Sequence, residues 1–141
     1  MLVREDSPRY GAPHIVEPRL GQGIFRVAVM EAYGRACAVT HEHSLPALEA
    51  SHIQPYAKNG PHDVRNGVLL RADLHRLFDQ GYITITTDHR LEVSPRLKLE
   101  YQNGHSYYPL HGGPLSLPPS PRETPSADFP RWHNDHVYRA A

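Results

Sequence analysis

Between Leu48 and Ile85 the hydrophobic pattern changes period repeatedly, and that order constrains the fold more than any other feature of the chain. Leu48, Ala50 and His52 alternate with Glu49, Ser51 and Ile53, the two-residue period of a strand, and Pro55 stops it. A loop rich in Gly, Pro and Asn follows, with a tight turn at Asn59-Gly60, and runs to Asn66-Gly67. Val68, Leu69 and Leu70 read as a short apolar strand. Leu74, Leu77 and Phe78 then recur at the steps of a helix over 72–80, which Gly81 ends. Strand, loop, strand and helix is the expected order, with His75 and Asp79 on one helical face, one turn apart.

The flanks add less. Pro8, Gly11, Pro13, Pro18 and Gly21 interrupt the first residues, so 1–21 reads as an extended arm or linker. Ile24, Phe25, Ala28, Val29, Ala32 and Tyr33 predict a helix over 22–33 that Gly34 stops. The segment from Cys37 to Thr40 favours β structure, and His41 to Pro46 reads as a turn. His41 and His43 are more simply explained as exposed turn residues than as a ligand pair, since no HExxH helix contains them. Residues 82–86 and 91–93 read as a hairpin around Asp88-His89. Tyrosine-rich turns follow Leu97. Residues 112–130 then form a proline-rich strap, and a closing helix over 129–138 is anchored by Trp132, with His133 and His136 as an alternative metal pair. The expected domains are an arm (1–21), one folded unit (22–111), and a strap with a short helix packing on it (112–141). The fold class is α+β.

Composition bounds the function. The chain has 141 residues, enough for one domain with a modest core. Its formal net charge is zero, so a polyanionic partner would have to be met by locally concentrated basic residues. Cys37 is the only cysteine, which excludes an internal disulfide and a Cys-based zinc ribbon. Charges and a proline occupy the start, where a signal peptide needs an apolar run, and no stretch is long enough to span a bilayer. A cytoplasmic protein with no membrane partner is the expectation.

His52, Asn66 and His75 stand among neighbours that carry a resemblance. Arg35 to Thr40 precede Ala50 to Ile53, and Asn66, Gly67, Leu74, His75, Phe78, Asp79 and Gly81 follow. In this arrangement residues 22–97 resemble the HNH endonucleases, which are built on a ββα-metal finger, and most of all their restriction-endonuclease-like branch. The resemblance implies a ββα-metal core with an added N-terminal helix, a following hairpin and a Pro-rich C-terminal extension. It implies a metal-dependent endonuclease that hydrolyses phosphodiester bonds of DNA, double-stranded and in a restriction role, with one divalent ion as cofactor.

The residues suit that chemistry. Phosphodiester hydrolysis needs a base, and an imidazole with an ordinary pKa of about 6.5 keeps a neutral fraction near pH 7. The resemblance assigns this role to His52, against the alternative of a half-buried structural histidine. Asn66 is expected to hold the loop so that a carbonyl orients His52, a role compatible with a plain turn before Gly67. His75 and Asp79 can converge on one cation, with Glu49 and Ser51 as further candidate ligands. Ser51 occupies a position where relatives often carry Asp or His. An oxygen-rich shell favours Mg²⁺ or Mn²⁺, with Zn²⁺ or Ni²⁺ as further candidates. Lys58, Arg65, Arg71 and Arg76 are the candidate DNA contacts, Arg76 first for the scissile phosphate; solvated arginines paired with Asp63 and Asp73 are the alternative. A non-catalytic DNA-binding module that keeps the finger is the competing function, and a structural metal module a weaker one. Dimerisation to cut both strands stays open.

Overall fold

The computed structural model describes residues 16–141. Its elements in chain order are α1 (Val16–Ala32), β1 (Leu48–His52), β2 (Gly67–Arg71), α2 (Ala72–Asp79), β3 (Ile83–Ile85), β4 (Leu91–Val93), α3 (Arg96–Tyr101) and α4 (Asp128–His136). Short 3-10 turns lie between them, at Tyr56–Lys58, Val64–Asn66 and Pro121–Glu123 among other places. The architecture is α+β, with two separate two-stranded antiparallel sheets, β1 with β2 and β3 with β4. None of the described helices is long and apolar enough to cross a membrane.

The central hairpin forms as its pattern demands. β1 runs antiparallel to β2 in a register that places Leu48 opposite Arg71 and His52 opposite Gly67. Val68, Leu69 and Leu70 are fully buried, because α1 and α2 both pack on this sheet. α2 turns Leu74 and Phe78 inward and leaves Asp79 exposed. α1 presents Phe25, Val29 and Ala32, and the turn after it Tyr33, to the same core. The approach of α1 to β2 is close enough to require glycine at position 67. A Cβ there would lie 2.4 Å from Val29 Cγ2 and 3.0 Å from Phe25 Cζ.

Several expectations shift. α1 begins at Val16, so part of the arm expected over 1–21 is helix; residues 1–15 lie outside the described residues. Pro18 falls in the first turn, where a missing N–H costs no intrahelical bond, while Gly21 and Gly23 mask the helical signal. Ile24, expected in the apolar stripe, faces outward. Cys37 to Thr40 is a turn rather than a strand. Its geometry is held by the Cys37 thiol, which accepts from the backbone N–H groups of Thr40 and Arg71, each at 3.4 Å. α3 was not legible in the pattern: it is short and buries only Leu97.

The C-terminal strap wraps the core. Ser116 N–H donates to Ala38 O and Ser126 N–H to Arg65 O, which tie it to the turn and to the loop before β2. α4 then docks through His133 rather than Trp132. The His133 ring is 2% exposed and stacks on Phe78 with centroids 3.8 Å apart. Its Nε2 pairs with Phe78 O at 2.8 Å, and its Nδ1 with Thr84 Oγ1 at 2.6 Å. A carbonyl only accepts, so Nε2 carries the proton, Nδ1 accepts from Thr84, and Asn134 Nδ2 donates to Thr84 in turn. With both nitrogens occupied, the spacing of His133 and His136 serves docking. Trp132 is half-buried and stacks on His136.

Burial pushes the His133 pKa down to about 4. Between that value and the ordinary one near 6.5 the unfolded chain binds the extra proton, so stability is complete above about pH 6.5 and falls as pH drops toward 4. Chemical denaturation should therefore show a loss of stability between pH 7 and pH 4 that is on the order of 3 kcal/mol larger in the wild type than in His133→Gln. Equal losses would contradict the assignment.

Candidate active site

His52 ends β1, and the chain then leaves the sheet for a loop that returns at Asn66. Asn66 is fully buried and spans the neck of this loop with its side chain. Its Oδ1 accepts from Gln54 N–H at 2.9 Å, and its Nδ2 donates to Gln54 O at 2.9 Å and Pro61 O at 3.0 Å. Below the neck, Ile53 N–H donates to Asn66 O at 2.9 Å, which extends the pairing of the hairpin by one step. The Asn66 side chain thus makes a three-bond clasp across the loop. A buried amide satisfied on both ends is worth more to the loop than a turn-forming Asn, because removing it would orphan backbone groups.

The ring of His52 is held on two sides. Phe25 of α1 stacks on it in parallel, centroids 3.8 Å apart and planes 9° from coplanar. Its Nε2 lies 3.0 Å from Nδ1 of His62, which belongs to the clasped loop. The neighbour found at His52 is thus a second imidazole, where a carbonyl was expected. Burial, then the nearby His62 and His75, push the His52 pKa down to about 4, against an opposing pull from Asp79. His52 is accordingly neutral at pH 7.

Across the cleft stands His75 on α2. Its Nε2 is 3.2 Å from Asp79 Oδ2, and its Nδ1 is 2.6 Å from Glu49 Oε1 on β1. Burial opposes the charged ring, but the hydrogen bonds to Asp79 and Glu49 and their charges outweigh it and raise the pKa. His52, His75, Asp79, Ala50, Gln22, Pro55, Tyr56 and Ala57 line one cleft of about 340 Å³. A second recess beside it is lined by Glu49, Ala72, His75, Arg76, Asp79 and Gln80.

The donor set can be tested against a divalent ion. Adjacent ligands each about 2.1 Å from one ion stand roughly 3 Å apart, which the His75 Nε2 and Asp79 Oδ2 separation meets. Glu49 sits on the opposite nitrogen of the ring, and Ser51 is fully buried with its Oγ 3.5 Å from the His52 carbonyl. Among the described residues, no group of three His, Cys, Asp or Glu side chains is arranged to hold a metal. The residues fit an ion held by one imidazole and one carboxylate, the rest of its shell coming from water or substrate.

The four basic candidates separate. Arg71 is bound bidentately by Asp73, at 2.6 and 2.9 Å, and Tyr107 donates to the same carboxylate. Arg65 donates through Nε to Thr124 O and so ties down the strap. Arg76 and Lys58 are exposed and make no ion pair among the described residues, and Arg76 lines the recess beside Asp79. Sequence reasoning missed Phe25, Tyr56 and His62 as site residues. His62 was visible only as one of many histidines in a loop whose path back to β1 no periodicity encodes.

Residues 37–86 match the sequence model of a family described as HNH endonuclease. No curated protein sequence matches the chain. Among solved structures the chain is similar to the modification-dependent TagI restriction endonuclease, with 22% identity and a TM-score of 0.56 over 83% of this chain. The alignment spans 38% of that protein's length, and at this identity the likeness speaks for the fold alone.

Asn66→Asp keeps the shape and the acceptor but sets a carboxylate against two carbonyl oxygens. It should cost about 3 kcal/mol in urea unfolding and speed hydrogen exchange over residues 54–66. A loss below about 0.5 kcal/mol would contradict the clasp. The candidate residues His52, Asn66 and His75 are gathered on one hairpin and helix, and the match to the HNH endonuclease family model, residues 37–86, lies over the same stretch.

Proposed function

We propose that the chain is a metal-dependent endonuclease that hydrolyses phosphodiester bonds of double-stranded DNA, and that β1, β2 and α2 act as a ββα-metal finger. The observation that carries this reading is the opposition of two histidines in one cleft. His52 is neutral and able to take a proton, while His75 is flanked by carboxylates.

In the proposed reaction, His52 removes a proton from a water as its oxygen attacks phosphorus. The P–O bond to the 3′ oxygen breaks, and that oxygen leaves with the bonding pair and takes a proton from solvent. His75 Nε2 and Asp79 would hold a divalent cation, Mg²⁺ or Mn²⁺ before Zn²⁺ or Ni²⁺, which supplies positive charge to the phosphate and the departing oxygen. Glu49 accepts the Nδ1–H of His75, which turns the ring and leaves Nε2 as the donor. This makes Glu49 an orienting carboxylate rather than a ligand. Ser51, turned into the core, contributes packing.

Arg76, unpaired by any described carboxylate and next to the metal arm, is the choice for a phosphate contact, with Lys58 at the loop rim. Arg65 and Arg71 hold the strap and Asp73. Contacts of this kind position the duplex and carry no base code. Restriction of foreign or modified DNA is the role suggested by the name of the TagI neighbour. Comparison of methylated with unmethylated plasmid is its direct test.

Supercoiled plasmid should be nicked with Mg²⁺ or Mn²⁺, and a chelator should stop the reaction. His52→Ala should slow it by about 100-fold or more. Arg76→Ala should weaken binding across all sequences and reduce the slope of log K against log salt by about 1. Full cleavage by His52→Ala would remove the base. Salt-sensitive binding without cleavage under any metal would favour a non-catalytic DNA-binding module.

A further inference from the structure

His62 takes no part in the roles assigned above, yet the fold invests heavily in its position. Its ring stacks on Tyr56, centroids 4.3 Å apart and planes 5° from coplanar. Helix α1 backs onto its edge at Gly21, where a Cβ would lie 2.8 Å from His62 Cδ2. The residue before it, Pro61, gives its carbonyl to the Asn66 clasp at 3.0 Å. The product of these constraints is one contact: His62 Nδ1 at 3.0 Å from His52 Nε2.

Two facing imidazole nitrogens share one proton between them. If His62 donates, the remaining proton of neutral His52 sits on Nδ1, and no lone pair is left for a water on that side. If His52 donates, its Nδ1 carries the lone pair and the ring is poised to accept a proton. With Phe25 closing one face of the His52 ring and Nε2 taken by His62, Nδ1 is the ring nitrogen left without a hydrogen bond to a described residue.

We propose that His62 is the positioning residue of the base: it accepts the Nε2–H of His52 through Nδ1 and so fixes both the tautomer and the rotation that present His52 Nδ1 to the attacking water. This deepens the nuclease reading and rests on His52 being the base. The Asn66 clasp then acts at one remove, because it fixes Pro61 and with it the start of the His62 side chain. An orienting partner on the second nitrogen of a working histidine is the same device that Glu49 supplies to His75, built here from a neutral ring.

The test uses the full chain with two variants. His62→Phe keeps a ring against Tyr56 and removes the acceptor; His62→Asn sets an amide oxygen near the place of Nδ1. Single-turnover plasmid cleavage with Mn²⁺ should fall on the order of 100-fold in His62→Phe with an unchanged half-saturating DNA concentration, and His62→Asn should recover most of it. Long-range ¹H–¹⁵N correlation of the imidazoles should show wild-type His52 as the Nε2–H tautomer whether or not either variant folds.

The proposal is overturned by His52 found as the Nδ1–H tautomer, by His62→Phe cutting at the wild-type rate, or by a folded His62→Asn as slow as His62→Phe. Cleavage that survives His52→Ala overturns the base assignment and this proposal with it. Dependence on His52 with indifference to position 62 overturns the proposal alone.

Discussion

The site depends on how a thirteen-residue excursion of backbone, residues 54–66, is closed onto a two-stranded sheet too small to impose order by itself. The closure is the Asn66 side chain, which spends both ends of its amide on Gln54 and one further donor on Pro61. A buried amide can do this because it donates and accepts within one rigid plane. A carboxylate would repel the two carbonyls, and an apolar side chain would leave them unpaired in a dry place. Everything that faces His52 from the loop hangs from this clasp.

Two histidines a short distance apart are driven to opposite behaviour by their surroundings. His52 lies between an aromatic ring and another imidazole, so burial disfavours its charged form. His75 is as deeply set, but carboxylates meet both of its nitrogens, and they reverse the balance. Environments that push like groups apart are how one site holds a base and an electrostatic partner at one pH. α1 is part of this arrangement. Through Gly67 it comes close enough to the hairpin for Phe25 to cover His52, so the helix belongs to the candidate site as well as to the core.

Much of this was legible in the residues. The change from alternation to a three- and four-residue step placed β1, β2 and α2 within a residue or so, because each element buries one face against a common core. His75 and Asp79 were found together because a helix fixes neighbours four apart. The contacts that cross between elements were not legible. Glu49 reaches the far nitrogen of His75, and His62 reaches His52 only after a loop whose path is set by a side chain twelve residues beyond Gln54. Cys37 illustrates the same limit: a β-favouring sequence became a turn because its thiol collects two backbone N–H groups from different parts of the chain. Arg71 was a candidate phosphate contact with pairing to Asp73 as the alternative, and it is the pair that the fold forms, at 2.6 and 2.9 Å.

The central claim is that His52 and the His75–Asp79 arm act on one phosphodiester from two sides of one cleft. A double-mutant cycle of single-turnover DNA cleavage tests it most directly, with His52→Ala, Asp79→Ala and the pair measured under saturating Mn²⁺. Groups that serve one transition state are strongly non-additive, so the double variant should be slower than the worse single variant by less than about ten-fold. Losses that simply multiply, or a single variant that cuts like the wild type, would contradict the account.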